Sequence, residues 1–211
     1  MSKVPLLFAA LAFAVSAPAF AQQPQPAPQP AAAQPSETPR EGSVNDRRGD
    51  QQNRIANGVQ SGQLTAGETR NLESREANVN HEIHADRSAN GGTLTPQERQ
   101  QVNRQQNNLS HSIYQDKHNA NQAHFGNNQV GQRRENQQDR IAQGIRSGQM
   151  TAGEAARTEG REQNINRSVA ADRAGNGGKL TQQERQNINQ RQNSASRQIY
   201  RQKHNGARAP K

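Results

Sequence analysis

From residue 47 onward the chain is written twice. Positions 47–119 return at 133–205 with a constant offset of 86, and 41 of the 73 paired positions are identical. Arg54-Ile55-Ala56-Asn57-Gly58 comes back as Arg140-Ile141-Ala142-Gln143-Gly144, and Ile113-Tyr114 with Lys117-His118-Asn119 as Ile199-Tyr200 with Lys203-His204-Asn205. Self-similarity at this level is an internal duplication. The fold must therefore be one that such a unit can build in duplicate.

A shorter repeat lies inside each copy. Gly62-x-Leu64-Thr65-x-x-Glu68 recurs as Gly92-x-Leu94-Thr95-x-x-Glu98, so the chain holds four versions of G-x-[LM]-T-x-x-E. The pattern is a helix start. Thr at the N-cap accepts from the N3 amide, and Glu at N3 reaches back to the cap amide. The apolar residue before the cap supplies a hydrophobic staple, Pro96 has the φ of a first helical turn, and the upstream glycine permits the reversal of direction. Thr65 with Glu68, Thr95 with Glu98, Thr151 with Glu154 and Thr181 with Glu184 are the expected caps.

Apolar residues follow the caps at helical spacing: Leu72, Val79 and Ile83, then Val102, Leu109 and Ile113, with Ile55 and Val59 ahead of them. The second copy has Ile141, Ile145, Ile165, Val169, Ile188 and Ile199 in matching places. These are narrow stripes on polar helices. The expectation is an all-α chain of two duplicated three-helix modules, each a helical hairpin with a leading helix, near 47–60, 66–86 and 96–119 in the first copy. Module 1 is expected over 47–119, an Asn/Gln/Gly-rich linker over 120–132, module 2 over 133–205, and a basic tail over 206–211. Leu72 becomes Thr158 and Leu109 becomes Ala195, so the second module is expected to lean on the first or on a partner.

Composition sets the limits. Hydrophobic residues make up 28% of the chain and aromatics 3%, with no Cys and no Trp. That is too little apolar area for a thick α/β enzyme core, and no disulfide compensates for it. Most of the apolar content at the start is concentrated in residues 1–21: Lys3, an apolar run from Val4 to Phe20, and Ala19-Phe20-Ala21. This is the pattern of a secretory signal peptide, with cleavage expected near Ala21 and a secreted or periplasmic destination. Residues 22–46, rich in Pro, Gln and Ala, read as a disordered linker.

The four heptapeptides also resemble the second half of an EF-hand calcium loop, with Gly62, Leu64 and Glu68 at positions 6, 8 and 12 of the loop. In that register positions 1, 3 and 5 are Asn57, Val59 and Ser61, which offer few oxygens. A register one residue longer places Asp86, Ser88 and Asn90 ahead of Glu98, and Asp172 and Asn176 ahead of Glu184. The resemblance implies paired helix–loop–helix units and weak calcium binding at these even-numbered loops. The histidines invite a second metal reading, since His81 and His84 stand one turn apart and His111 and His118 lie on the next helix. His81, His84 and His111 become Arg167, Ala170 and Arg197 in the second copy, as solvated positions do. His118 and His204 belong near a helix C-terminus, where a cation meets the dipole.

Charge separates the copies. Residues 133–211 carry 16 Lys+Arg against 7 Asp+Glu, while residues 47–132 carry 9 against 8. Arg157, Arg161, Arg167, Arg191, Arg197 and Arg201 are the candidate basic face. Guanidinium forks suit phosphate and carboxylate partners. For an exported chain these partners are lipid head groups, surface polysaccharide or extracellular nucleic acid. The few aromatics give no sign of interleaving for base stacking. No cysteine nucleophile, G-x-S-x-G elbow, H-E-x-x-H or phosphate loop occurs, so the expectation is a non-enzymatic binding or structural protein. With 17 Gly and a mean hydropathy of −1.23, the composition is also similar to that of stress-protective hydrophilins.

Overall fold

The computed structural model describes residues 41–210, and the side chains of residues 44–210; the expected leader and residues 22–40 lie outside the described residues. Six α-helices follow one another: α1 Glu41–Gln60, α2 Ala66–Ala89, α3 Pro96–Lys117, α4 Gln129–Arg146, α5 Ala152–Gly175 and α6 Gln182–Lys203. Among the described residues there is no strand, and no helix is long and apolar enough to cross a membrane.

The helices begin where the caps require. The Glu68 amide donates to Thr65 Oγ1 at 3.3 Å and the Thr65 amide to Glu68 Oε2 at 2.9 Å. Thr95 with Glu98, Thr151 with Glu154 and Thr181 with Glu184 form the same reciprocal pair, and Pro96 stands at the first helical position. The hydroxyl at the cap satisfies an amide that no helical carbonyl can reach. We expect Thr95→Ala to cost about 1 kcal/mol, a fall of about 2–4 °C in Tm by circular dichroism, and Thr95→Ser to recover most of it.

Two helices start earlier than the sequence expectation. α1 starts at Glu41, inside the stretch expected to be linker, because Val44 is buried against α2 and α3. The α4 helix starts at Gln129, capped by Asn128, for the same reason: Val130 is buried. Between α3 and α4 the chain is pinned as a strap. Asn119 Nδ2 and Asn121 Nδ2 donate to Glu68 Oε1, and the Ala123 amide donates to the Gly62 carbonyl. The expected basic tail repeats this path, with Asn205 Nδ2 on Glu154 Oε1 and the Ala209 amide on the Gly148 carbonyl. Gly62 and Gly148 have φ of +72° and +66°, left-handed values that glycine adopts without strain.

The three-helix groups do not stand apart as two modules. α2 packs most extensively on α5 and α1 on α4, while α3 lies against α1 and α2, and α6 against α4 and α5. The narrow apolar stripes leave each group with an uncovered side, and the other group covers it. The central cluster accordingly draws Ile55, Leu72, Leu109 and Ile113 from one group and Ile141, Ile145, Met150 and Ile199 from the other. Each group keeps a smaller cluster of its own, Val44, Val79, Ile83, Leu94 and Val102 in the first, and Val130, Ile165, Val169, Ile188 and Ala195 in the second. Leu72 is fully buried in the shared centre. Its counterpart Thr158 is buried too, with its hydroxyl donating to the Glu154 carbonyl at 2.9 Å.

Buried amides fasten the flanking helices. Gln51 Nε2 donates to the Gln106 carbonyl at 2.6 Å, and Gln106 Nε2 to the Val44 carbonyl at 2.9 Å. Gln137 and Gln192 repeat both bonds at 2.8 and 3.0 Å. Each bond ties α1 to α3 or α4 to α6 in the buried interior, where a lost partner costs about 1–3 kcal/mol.

Candidate anion-binding face

All six arginines singled out by charge are exposed, Arg157, Arg161 and Arg167 on α5 and Arg191, Arg197 and Arg201 on α6. Among the described residues none of the six is held in an ion pair. The structure brings four of them together in two shallow grooves. Arg161 and Arg191 line a groove of about 370 Å³ between α5 and α6, with Ile165 and Ala195 in its floor. Arg191 Nη1 also donates to Ser168 Oγ across the same pair of helices.

Arg197 and Arg201 line a second groove of about 450 Å³ together with Arg140, Ser196 and Tyr200. Arg140 comes from α4, where its Nη2 donates to the Ser196 carbonyl at 3.2 Å. Sequence reasoning missed Arg140 because it lies on α4, far in the chain from the α6 arginines it joins. Arg157 lies apart, beside Gly153, and helps to hold the Glu154 carboxyl low. Neither groove includes Arg157 or Arg167. In the first copy the positions of Arg191, Arg197 and Arg201 are Gln105, His111 and Gln115, so three of the five cations in these grooves belong to the second copy alone.

Tyr200 adds a ring to the second groove. It is 58% exposed, and it stacks on His204 with ring centroids 4.1 Å apart. The same arrangement holds Tyr114 against His118 at 4.2 Å. Both histidines are helix C-caps, as expected, and each approaches the carbonyl of its tyrosine through Nδ1 at 2.7 Å.

The even-numbered loops do not assemble a calcium site. Asn90 Nδ2 donates to both oxygens of Glu98 at 2.9 and 2.8 Å, and Glu98 Oε2 also accepts from the Thr95 amide. Those bonds, the Thr95 amide first, hold the Glu98 carboxyl below its usual range. A carboxylate occupied by donors is a capping group. Asp86 is raised by desolvation and then by Glu98 and Glu82, and Ser88 Oγ turns back to the His84 carbonyl. In the second copy Asn176 Nδ2 donates to Glu184 Oε1 and to the Asp172 carbonyl. Among the described residues no three His, Asp or Glu side chains converge as a metal site. The residues do not fit the ion, and the loops are closed by hydrogen bonds instead.

A wider groove of about 620 Å³ runs between α1 and the α4–α5 turn. It mixes Asp46, Asp50 and Glu76 with Arg48, Arg146 and Arg208, so its charge favours no anion.

Four buried carboxyls are a feature that sequence reasoning missed. Glu73 and Glu159 have no exposed surface, and neither does Glu76, while Glu162 is 1% exposed. All four lie on α2 and α5, the two helices that pack most extensively on each other. Burial pushes Glu73 up to about 8, and Gln52 Nε2 at 3.2 Å offsets only part of this. Burial likewise raises Glu159 well above the carboxylate range, against a hydrogen bond from Gln138 and with Glu162 and Glu73 adding to the rise. Glu76 and Glu162 rise to about 7, the near arginines Arg48 and Arg134 offsetting their desolvation in part. Arg48 Nε stands 3.9 Å from Glu76 Oε1, a loose ion pair. The Arg134 guanidinium lies 5.5 Å from the centroid of Phe125, and its Nη1 reaches the His124 carbonyl, so the strap lies over it. With no more than 1% of their surface exposed, these acids belong to the fold, and of the four only Glu76 borders one of these grooves.

Compared with protein-family models, with curated proteins and with solved structures, the chain matches none of them.

Proposed function

We propose that this is an exported, non-enzymatic protein that binds a polyanion through the grooves that α6 forms with α5 and α4 in its second repeat. One observation carries the reading: guanidiniums without carboxylate partners converge in two open grooves beside α6, one holding Arg161 and Arg191 and the other Arg140, Arg197 and Arg201. Unpaired arginines repel one another, and that arrangement is relieved when phosphates, sulfates or carboxylates enter. The grooves are shallow, which suits a chain-like or surface-borne anion better than a small enclosed ligand. Export rests on the leader-like residues 1–21, and mass spectrometry of the mature N-terminus is expected to find Gln22 first.

The test is salt elution from an immobilised sulfated polysaccharide. The wild-type chain from residue 22 onward is expected to be retained, and Arg197→Glu/Arg201→Glu to elute at clearly lower salt. Arg161→Glu/Arg191→Glu is expected to act in the same direction. Reversing Arg47 and Arg75 in the first copy, at the same change of net charge, is expected to move elution less. Equal effects for all three pairs would reduce the result to net charge and overturn the reading.

A further inference from the structure

The chain has two tyrosines and no tryptophan, and both tyrosines project from the surface, Tyr114 61% and Tyr200 58% exposed. A single exposed aromatic needs no explanation. These two are held. Each ring lies on the histidine one turn ahead at an interplanar angle of 28° or 24°, and each histidine is fixed in turn by its 2.7 Å contact to the tyrosine carbonyl. A ring pinned on one side presents a flat apolar surface on the other, and little side-chain freedom remains to be lost when something stacks there.

The surroundings of the two rings differ. Tyr200 shares its groove with Arg140, Arg197 and Arg201. Around Tyr114 the same positions are Arg54, His111 and Gln115. One ring therefore stands among three guanidiniums, and its twin beside one. Cations that pair with phosphates, set around a fixed aromatic surface, are the elements that single-strand binding requires: charge follows the backbone while bases stack on rings. Duplex DNA keeps its base faces stacked inside the helix, and sulfated polysaccharides have no aromatic ring to offer.

We propose that the polyanion is single-stranded nucleic acid, bound with a base stacked on Tyr200 and the flanking phosphates paired with Arg140, Arg197 and Arg201. The proposal rests on the polyanion-binding reading above and makes its ligand specific. Because Tyr200 is exposed and outside the core, its replacement tests contact with little risk to folding.

The experiment uses the chain from residue 22 onward and two probes, an oligothymidylate of about 20 nucleotides, longer than a typical single-strand site, and heparin. In Tyr114→Phe the only remaining tyrosine is Tyr200, whose intrinsic emission reports directly on stacking. Oligothymidylate is expected to quench that emission, and heparin to bind without quenching. By fluorescence anisotropy, Tyr200→Ala is expected to weaken oligothymidylate binding at least about 5-fold, the lower end for loss of one stacked base. Heparin affinity is expected to stay unchanged. Arg197→Glu/Arg201→Glu is expected to weaken both. Unchanged oligothymidylate affinity in Tyr200→Ala, or equal quenching by heparin, overturns the single-strand proposal and leaves polyanion binding standing. Arginine reversals that leave both affinities unchanged overturn polyanion binding itself.

Discussion

Thermal melting followed from pH 4 to 9 should show the protein most stable near pH 5 and losing about 10–20 °C in Tm by pH 8. Four carboxyls buried between α2 and α5 set the alkaline side: Glu73 raised to about 8, Glu76 and Glu162 to about 7, and Glu159 well above the carboxylate range. A raised acid keeps its proton in the folded chain at a pH where the unfolded chain has released it. Its contribution is therefore complete below the unfolded value near 4.5 and is lost as pH climbs to the folded values near 7 and 8. Each tenfold difference in proton affinity between the folded and unfolded chain is worth about 1.4 kcal/mol. For a cluster of coupled groups the total is on the order of 5 kcal/mol, hence the fall in Tm. Glu73→Gln/Glu159→Gln is expected to flatten the alkaline limb and to raise Tm at pH 8. A Tm that holds level from pH 5 to 8 would show that these acids are ionised or solvated in the folded chain.

The acid limb has the opposite origin. Glu68, Glu98, Glu154 and Glu184 hold their cap amides as carboxylates and lie below the usual range. Their stabilisation is present above the unfolded value and is lost as pH falls through the folded one. Glu98 and Glu184 owe the depression first to the cap amide. In Glu68 and Glu154 partial burial pulls upward, and the Thr65 and Thr151 caps overcome it with help from Asn119 and Asn205.

The second large effect is expected on cutting the chain between its copies. Fragments 41–127 and 128–210, each alone at low micromolar concentration, should lack the cooperative helical melt of the whole, and mixing them should restore it. Each half keeps only a small apolar cluster of its own. The largest cluster is shared, with Ile55, Leu72 and Ile113 packed in one body with Ile141, Met150 and Ile199. Separation exposes that cluster and also parts Glu73 from Glu159, the two buried acids that act on each other across the halves. A cooperative, monomeric melt of fragment 41–127 would refute the shared core.

The two results mark where the sequence was readable. Caps and apolar stripes are local devices, so Thr65, Thr95, Thr151 and Thr181 start their helices where the heptapeptides place them. The stripe residues from Ile55 to Ile199 are buried as their spacing requires. Glu73 and Glu76 read as ordinary polar positions because their burial comes from tertiary packing, in which Gln52 and Arg48 of α1 meet them, and no spacing along α2 marks it. The repeat itself held the missing signal. Gln51, Glu73, Glu76 and Gln106 are unchanged at 137, 159, 162 and 192, while exposed His81 and His84 became Arg167 and Ala170.

The arginine face was legible as charge and illegible as geometry. Arg161 and Arg167, six residues apart on α5, point to different sides of that helix, so one groove cannot hold both. Arg140, on another helix, completes a groove that no spacing on α6 would reveal. The calcium expectation turns on a similar ambiguity. A Thr–Glu pair serves both a helix cap and a loop terminus, and the side-chain amide of Asn90, donating to both Glu98 oxygens, decides for the cap.

Two identical halves joined about a common core would carry the same charge on both flanks, and such a particle has no preferred side. Here α6 bears Arg191, Arg197 and Arg201 where α3 bears Gln105, His111 and Gln115, and the two helices do not touch. Fusion of the copies in one chain let one flank become cationic while the other stayed close to neutral. The result is a permanent charge dipole across the bundle. An extended negative surface would therefore attract the α6 flank more strongly than the α3 flank.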